Sequence, residues 1–473
     1  MTQTPQAQPS QVDRVRTVPF DHLAAALTGQ VLLPSSAGYE GARGVWNAAV
    51  DLHPAAIARP LNAPQVALAV RFARKYHLPV AVRSGGHSPA GYGTVEGGLV
   101  IDLSQMRRLS LDVPRRHLRV EPGLTWGEVA GALHPHGLAL TSGDGATVGV
   151  GGLTLGGGIG WFVRQHGLTI DRLRAVELVT AGGELLRASA EEHPELFWGL
   201  RGGGGNFGVA TALEFGVHEG GTVLGGAVFY DASDPDTLAR MLRTYADCAL
   251  AAPDELTTQA VVMAAPPLPF LPAGLVGRPL LGILVCCVGD PAAGEEAAAP
   301  LRHLGPVVAD LIGPMPYPAI FALTEAGTRR GLGFHPRSMF LRAFGAAEAG
   351  VLAREALATL HPGSLISLRA LGGAVGRVPP GATAFAHRDK NFLLMVANLS
   401  PDPGAAAALR AASDRVWGAV RHRDAGLYGN FAGLADGNRE GDVYPDETRA
   451  RLARLKAQYD PHNVFARNVN IRA

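Results

Sequence analysis

The chain has 473 residues, which exceeds the size of one hydrophobic core and indicates two or three domains. Hydrophobic residues make up 47% of it and charged residues 18%, a balance typical of a well-buried globular protein. The net charge of +1 excludes the large basic excess of a nucleic-acid-binding protein, and no apolar run is long enough to span a membrane.

The cysteines and the N-terminus indicate where the protein works. The stretch MTQTPQAQPSQVDRV has no hydrophobic run of the kind found in a signal peptide. Cys248, Cys286 and Cys287 are an odd number, and two of them are adjacent in an apolar run, which is typical of buried free thiols rather than a disulfide framework. We therefore expect a cytoplasmic protein.

Strand and helix patterns alternate in the first half of the chain. Residues 62–78 predict a helix, because Asn62 can cap it, Pro64 lies in its first turn and apolar residues form one stripe. Thr125 and Glu128 form a capping box at the start of a second helix. Strand patterns lie around these helices: PVAVR, GLVIDL, HLRVEPG and the hairpin AVELVTAGGELLRAS.

The pattern changes near residue 218. From about 220 to 410, apolar or alternating strands such as LLGILVCCVG and NFLLMVANLS are separated by Ala-rich helices, which indicates a second α+β domain. The remaining residues contain one helix and a turn at Asp460-Pro461. No internal repeat is present.

Two glycine-rich loops carry the functional signal. RSGGHS and the later tract TSGDGATVGVGGLTLGGGIGW expose backbone N–H groups, which suits close approach to a pyrophosphate. The GGGIG at residues 156–160 fits a dinucleotide-binding fingerprint poorly, because strand-turn-helix context and a following acidic residue are lacking. His134, His136 and His166 are not at metal-ligand spacing, so no metal is predicted.

These loops resemble those of the FAD-linked oxidases of the vanillyl alcohol oxidase type, in the berberine-bridge-enzyme-like branch. Further segments resemble the family in the expected order: HPELFWGLRGGGGNFGVAT, VPPGATAFAHRD and YDPHNVFARNVNI. The resemblance covers nearly the whole chain beyond residue 40. It implies an α+β fold with a two-part FAD-binding domain (1–218), a substrate domain with a large antiparallel sheet covered by helices (219–409), and a C-terminal segment that returns to the FAD-binding domain (410–473).

In that family the histidine of the first loop is bonded to the C8-methyl carbon of the flavin. The resemblance therefore implies FAD tethered through His87. Many members add a second link through a cysteine, but the matching position here is Gly145, so only one link is expected. The implied cofactor-binding residues are Arg83, Ser84, Gly85, Gly86, His87, Ser88, Gly143, Gly145, Thr147, Val148, Gly151, Gly152, Gly157, Gly158, Gly160, Val209, Tyr428, Asn430, Asn468 and Asn470.

Val148 matches the oxygen-gating position of the family, where a small residue goes with fast reoxidation by O2. The family's Y-x-N-Y run is YGNF here, and Phe431 cannot accept a proton, so a base must come from elsewhere. The catalytic candidates are therefore Tyr428, Tyr92, His387 and Arg388, together with Val148. The alternative for His387 and Arg388 is a structural ion pair with Asp389.

The implied activity is removal of hydride from a C–H next to a hydroxyl or similar donor of a sugar, alcohol, phenol or natural product, with O2 reduced to H2O2. The alternatives are an oxidative cyclase or dehydrogenase of secondary metabolism, a flavoprotein that has lost catalysis, and a non-flavin nucleotide-binding protein. The expected partners are a small-molecule substrate and O2, with no nucleic acid or membrane, in a monomer or homodimer.

Overall fold

A computed structural model describes residues 18–27, 30–268, 271–437 and 439–473, so the whole N-terminal stretch considered for a signal peptide lies outside the described residues. The first sheet has the order β1-β2-β4-β3, in which β1 is antiparallel and the other strands are parallel. Its strands are β1 (Val31–Leu32), β2 (Ala56–Ala58), β3 (Val80–Arg83) and β4 (Leu99–Asp102), and its helices are α1 (Phe20–Ala26), α2 (Tyr39–Arg43) and α3 (Ala63–Lys75).

A second, antiparallel sheet has the order β5-β6-β10-β8-β9, and a two-stranded sheet pairs β7 with β11. The strands are β5 (Leu109–Asp112), β6 (His117–Val120), β7 (Leu138–Ala139), β8 (Leu173–Val179), β9 (Leu185–Ser189), β10 (Val209–Gly216) and β11 (His218–Glu219). The helices of this part are α4 (Trp126–Leu133), α5 (Val150–Leu155), α6 (Val163–His166) and α7 (Pro194–Leu200).

The largest sheet has eight antiparallel strands in the order β15-β12-β14-β13-β18-β19-β17, with β16 also paired to β12. The strands are β12 (Thr222–Asp231), β13 (Leu256–Ala264), β14 (Pro279–Val288), β15 (Val307–Asp310), β16 (Gly313–Pro316), β17 (Gly333–Leu341), β18 (Ser364–Ala370) and β19 (Phe392–Ser400). The helices are α8 (Pro235–Ala251), α9 (Pro291–Ala298), α10 (Glu325–Thr328), α11 (Ala346–Thr359), α12 (Ala374–Arg377) and α13 (Ala406–Val420).

The two faces of this sheet have different surroundings, because successive side chains of a strand point to opposite faces. Ala260, Val262 and Ile366 belong to the core that the sheet shares with α8, α11 and α13. Gln259, Val261 and Met263 point the other way and line a cavity. The predicted α+β fold with a large antiparallel sheet covered by helices is confirmed.

Local signals located several elements correctly. Asn62 caps α3 by accepting a hydrogen bond from the Gln65 N–H, and Thr125 and Glu128 form the capping box of α4. The predicted hairpin is β8 and β9. The chain ends with α14 (Glu440–Val443), α15 (Asp446–Tyr459) and a tail, while domain boundaries after residues 218 and 409 stay a prediction.

Candidate active site

A cavity of about 870 Å³ lies where the glycine loops meet the uncovered face of the eight-stranded sheet. Cofactor and small-ligand sites occupy roughly 300–1,000 Å³, so this cavity is near the upper end of that range. Residues 322–329, 428–431 and 465–469 supply further parts of its wall. Distant parts of the chain therefore converge on one site.

Most residues predicted to bind the cofactor line this cavity. They are Arg83, Ser84, Gly85, Gly86, His87, Ser88, Gly143, Gly145, Val148, Gly151, Gly152, Tyr428, Asn430 and Asn468, and the catalytic candidate Tyr92 joins them. Eight other predicted residues are not part of its wall: Thr147, Gly157, Gly158, Gly160, Val209, His387, Arg388 and Asn470.

The two glycine loops touch backbone to backbone. A Cβ at Gly85 would lie 2.4 Å from the Gly149 nitrogen, and one at Gly149 would lie 2.2 Å from the Gly85 nitrogen, so neither position has room for a side chain. Gly152 and Gly205 also line the cavity, yet no atom lies within 4 Å of where their Cβ would stand. Protein packing therefore does not require glycine at these two positions, whereas close approach of a ligand to bare backbone would require it.

Arg83 and Ser84 fix the first loop in place. The Arg83 guanidinium donates to Asp102 at 2.9 Å and to the Ala42 carbonyl at 2.7 Å. The Ser84 hydroxyl donates to the Pro122 carbonyl and accepts from the Gly151 N–H at 3.3 Å, which ties the second loop to the first. The charge of Arg83 is thus committed to Asp102, and its contribution to the cavity is mainly its side-chain stem.

His87 stands at the edge of the cavity with one ring nitrogen engaged. Its Nε2 lies 3.0 Å from the Thr147 hydroxyl, and its ring stacks on Trp46 with a centroid separation of 5.3 Å. Burial, together with the nearby Arg330 cation, lowers the pKa of His87 to about 4. The imidazole is therefore neutral at pH 7, and Thr147 orients it although Thr147 itself is not part of the cavity wall.

The end of the glycine tract has a packing role. A Cβ at Gly157 would lie 2.8 Å from the Phe385 ring, one at Gly158 2.1 Å from the Thr169 hydroxyl, and one at Gly160 2.1 Å from the Ser142 carbonyl. The φ angles of Gly157 and Gly158 are +126° and +81°, which side chains rarely adopt. These glycines allow close packing beneath the site and are not part of the cavity wall, so their contact with the cofactor stays a prediction. Val209 is likewise fully buried in a core beside α3.

Tyr428 is buried in the cavity wall, and its hydroxyl accepts two hydrogen bonds. The Gly158 N–H donates at 3.0 Å and the Asn430 amide at 2.9 Å, while the same amide donates to the Leu153 carbonyl at 3.0 Å. Burial raises the pKa of Tyr428 to about 12. Phe431 lies edge-on to its ring, so this part of the wall holds one phenol that stays protonated.

The C-terminal tail forms another part of the wall. Arg467 donates to the carbonyls of Thr94 and Gly91, both at 3.1 Å, and its guanidinium lies 5.9 Å from the centre of the Tyr92 ring. Burial raises the pKa of Tyr92, which Arg467 opposes. Asn468 donates to the Phe465 carbonyl at 2.9 Å and keeps its Oδ1 without a protein partner among the described contacts; Asn470 lies outside the wall.

The structure places His387 and Arg388 away from the cavity. The His387 Nε2 lies 3.1 Å from the Val443 carbonyl, and its ring stacks on Phe340. Arg388 forms a two-pronged ion pair with Asp171, at 2.7 and 3.1 Å. Both the expected position facing the flavin and the alternative pair with Asp389 are therefore corrected.

Sequence reasoning missed a polar group between the loops and the sheet. Asp144 forms an ion pair with Arg369 of β18, and the same guanidinium nitrogen, Nη2, also donates to the Gln259 side-chain oxygen on β13. Asp144 and Gln259 both line the cavity. Only the register of the sheet, which sets Gln259 directly opposite Arg369, brings these residues together.

The residues present fit bound FAD. The bare glycine backbone at Gly152 and Gly205 suits close approach of a pyrophosphate or a flat ring, and the neutral His87 ring lies at the edge of the same cavity. Among the described residues, no group of three or more His, Cys, Asp or Glu side chains has metal-binding geometry. No helix of the described ranges is long and apolar enough to cross a membrane.

Comparisons with known proteins agree with this site. Residues 54–189 match the family model described as an FAD binding domain, and residues 428–472 match the model for berberine and berberine-like proteins. The (R)-6-hydroxynicotine oxidase of Paenarthrobacter nicotinovorans is 32% identical over 460 residues, covering 94% of this chain and 97% of the relative. The chitooligosaccharide oxidase of Gibberella zeae is 28% identical over 463 residues, covering 90% and 89%.

A solved structure gives the same result for the fold. The crystal structure of 6-hydroxy-D-nicotine oxidase from Arthrobacter nicotinovorans superposes with a TM-score of 0.83 and 28% identity, covering 94% of this chain and 98% of that one.

Proposed function

The chain belongs to the FAD-linked oxidases of the berberine-bridge-enzyme-like branch. We propose that it oxidises an alcohol or a similar donor and passes the electrons to O2. One observation carries the proposal: the glycine loops, His87 and an uncovered sheet face line a single cavity. The substrate loses hydride from the carbon and a proton from the donor group, two electrons and two protons in total. O2 takes up the same two electrons and two protons and becomes H2O2.

FAD, when bound, supplies the two-electron acceptor. The protein's own residues position and bind: the two glycine loops present backbone N–H groups, Arg83 holds the first loop, and Asn430 and Asn468 bring side-chain amides to the wall. Val148 lines the cavity with a small apolar side chain, which supports access of O2 in this proposal. Tyr428 and Tyr92 contribute wall surface and hydroxyl groups rather than a base, because burial keeps both protonated.

We assign the covalent tether to His87. Its Nε2 is engaged by Thr147, so Nδ1 is the nitrogen left for the bond. In this proposal the imidazole would give up its N–H to hold FAD through a C–N bond at the C8-methyl carbon, which would lose one hydrogen, and O2 would take up the two electrons and two protons as H2O2. Gly145 provides no second attachment, and a Cβ there would already lie 2.8 Å from a Thr328 methyl group.

The side chains on the cavity-facing side of the eight-stranded sheet indicate which class of substrate fits. Among the strand residues that the structure describes, this face presents mostly apolar side chains to the cavity, and Gln259 and Ser367 are the polar ones. Oligosaccharides expose many hydroxyl groups that need hydrogen-bond partners when buried, and an apolar wall supplies few. This composition supports a compact substrate with one polar donor group, such as an aryl alcohol, over an oligosaccharide. The apolar residues are Ala227, Phe229, Val261, Met263, Leu284, Phe334, Leu365 and Met395.

Purified protein with its natural flavin tests the proposal. After acid denaturation, an SDS gel viewed in ultraviolet light should show a fluorescent band, the intact mass should include one FAD, and His87→Ala should lose both. Peroxide release is then measured with 1-phenylethanol, 6-hydroxynicotine and chitobiose, and we expect the aryl alcohol to exceed the sugar. A protein that contains no flavin, or that gives no peroxide with any member of the panel, would refute the proposal.

A second candidate activity rests on Phe431. Since this position cannot accept a proton, loss of hydride followed by ring closure, without net alcohol oxidation, is the alternative outcome. Both activities remove two hydrogen atoms and therefore give products of the same mass. Only simple oxidation leaves a new carbonyl, so the mass gained on treatment with a hydrazine reagent separates the two activities.

A further inference from the structure

We propose that Asp144 accepts the proton of the substrate's donor group and that Gln259 holds the same group by donating a hydrogen bond to it. This inference rests on the proposed oxidase function and supplies the base that the YGNF run lacks. It concerns two side chains of the cavity wall that come from different parts of the chain, a glycine loop and strand β13.

The unused polar atoms of the two side chains are complementary. One carboxylate oxygen of Asp144 is paired with Arg369, whereas the other, Oδ1, is buried and has no hydrogen-bond partner among the described contacts. The Gln259 oxygen accepts from Arg369, and its Nε2 has no partner in the described hydrogen bonds. The pair therefore offers one free acceptor and one free donor, which match a hydroxyl or an amine that both donates and accepts.

Arg369 is the positioning residue of this pair. Its Nη2 donates to both Asp144 and Gln259, and its guanidinium lies 5.1 Å from the centre of the Trp161 ring. Because Gln259 and Arg369 are directly opposite each other on adjacent strands, their side chains share one face of the sheet. The register thus fixes where the carboxylate and the amide meet the substrate.

Thr324, which lies between β16 and α10, holds the backbone of Asp144. The Thr324 hydroxyl donates to the Asp144 backbone carbonyl at 2.7 Å, and Thr324 also lines the cavity. Burial raises the pKa of the Asp144 carboxyl, which Arg369 opposes. The other titratable groups that sense this charge are Tyr317 and Tyr428, and burial raises both of their pKa values, so they stay protonated.

In the proposed step the substrate O–H bond breaks as its proton moves to the Asp144 carboxylate, and a C=O bond forms as hydride leaves the carbon. The two electrons leave with the hydride, and O2 is their final acceptor in the proposed oxidase reaction. Asp144, now a carboxylic acid, returns its proton to solvent or to the peroxide product. Atoms and electrons balance without a further reactant.

The test uses the holoenzyme with two related probes. 1-Phenylethanol carries the C–H that is oxidised, and anaerobic stopped-flow measures the rate at which it bleaches the flavin. 2-Phenyl-2-propanol has the same hydroxyl but no C–H to lose, so the Kd from its perturbation of the flavin spectrum reports binding alone. The variants are Asp144→Asn, Gln259→Met and the control Asp247→Asn, which removes a carboxylate from a surface pair with Arg243 on α8.

We expect Asp144→Asn to slow flavin bleaching by about 10²–10⁴-fold and to abolish the decline of the rate at acidic pH. We also expect it to raise the Kd of 2-phenyl-2-propanol by about 10-fold, the effect of losing one hydrogen bond to a charged group. Gln259→Met should raise this Kd several-fold and leave the shape of the pH profile unchanged. Asp247→Asn should change none of these values.

Four outcomes decide the matter. An Asp144→Asn protein with wild-type flavin spectrum and melting temperature, a rate within about threefold and an intact pH profile would overturn the role of Asp144 while leaving the oxidase function standing. If Asp144→Asn does not fold, an unchanged Kd in Gln259→Met overturns the shared anchor, and a raised Kd supports it. If wild-type protein releases no peroxide with any panel alcohol, the oxidase function fails, and the Kd values for 2-phenyl-2-propanol still decide on the anchor.

Discussion

Replacement of Lys456 by methionine tests how the C-terminal tail is held against the cavity. Lys456 on α15 is fully buried and donates to Asp460 at 2.7 Å, to the Asn206 carbonyl at 2.9 Å and to the Phe465 carbonyl at 3.0 Å. Asp460 in turn accepts from the N–H groups of Val464 and Phe465, at 2.8 and 2.9 Å. One buried ion pair thus fixes the turn that leads into the cavity wall.

Methionine fills a similar volume but cannot donate, so Lys456→Met leaves the buried carboxylate of Asp460 without its cation and two carbonyls without their donor. Breaking a buried pair by removing one partner costs about 3–5 kcal/mol. We expect this loss in the free energy of unfolding. The flavin content should also fall, because Phe465, Arg467 and Asn468 line the cavity.

Urea denaturation followed by tryptophan fluorescence measures the loss. The matched control is Arg454→Met, which removes an exposed cation from the same helix. The double variant Lys456→Met/Asp460→Asn should be less destabilised than the sum of the single variants, since it removes the uncompensated charge, with a coupling of about 0.5–3 kcal/mol. A Lys456→Met protein as stable as the Arg454→Met control would refute the reasoning.

Two further predictions concern the glycine cradle and acid stability. Gly152→Leu should fold but lose most bound flavin, because no protein atom lies within 4 Å of the new Cβ and the side chain would occupy the cavity. The control Gly131→Ala, at an equally open position within α4, should keep its flavin. The ratio of the absorbances at 450 and 280 nm measures the flavin content of both variants. The imidazole rings of His166 and His218 stack with a centroid separation of 3.6 Å. Burial lowers the pKa of His166 to about 4 and that of His218 to about 3, from the ordinary 6.5. Since the unfolded chain binds their protons first, stability is complete above pH 6.5 and falls as the pH drops toward 4. Melting temperatures across this range should fall less steeply for His218→Gln, and an unchanged slope would contradict the assignment.

Features with a local cause could be predicted from the sequence. A cap such as Asn62 and a hairpin such as β8–β9 depend on neighbouring residues, so their patterns are complete within a short segment. The first glycine loop is another such case, because it follows β3 directly and its two adjacent glycines, Gly85 and Gly86, indicate a loop with a flexible backbone. The placement of His87 at the cavity edge follows from that loop.

Features whose partner lies far along the chain could not be predicted. The glycines at 157, 158 and 160 look like cofactor contacts, yet what approaches them is Phe385, Thr169 and the Ser142 carbonyl. Arg388 pairs with Asp171, 217 residues away, rather than with its neighbour Asp389. A sequence shows that a glycine or a charge is present, but only the packed structure shows which surface it meets.

Asp144 illustrates why a proton acceptor is hard to predict from the residues around Phe431. When the family's tyrosine is replaced by Phe431, the sequence offers neighbouring side chains such as Tyr428 as substitutes. Burial raises the pKa of Tyr428 and keeps its phenol protonated. The proton, however, needs only an acceptor within hydrogen-bond reach of the donor group, and any wall of the cavity can supply one. In our proposal this acceptor is Asp144, which forms an ion pair with Arg369, 225 residues away along the chain; burial raises the pKa of its carboxyl and Arg369 opposes the rise. A base on the glycine loop would also stay beside the cofactor whichever substrate the sheet face admits, so changes on the sheet can alter specificity while the proton acceptor remains in place.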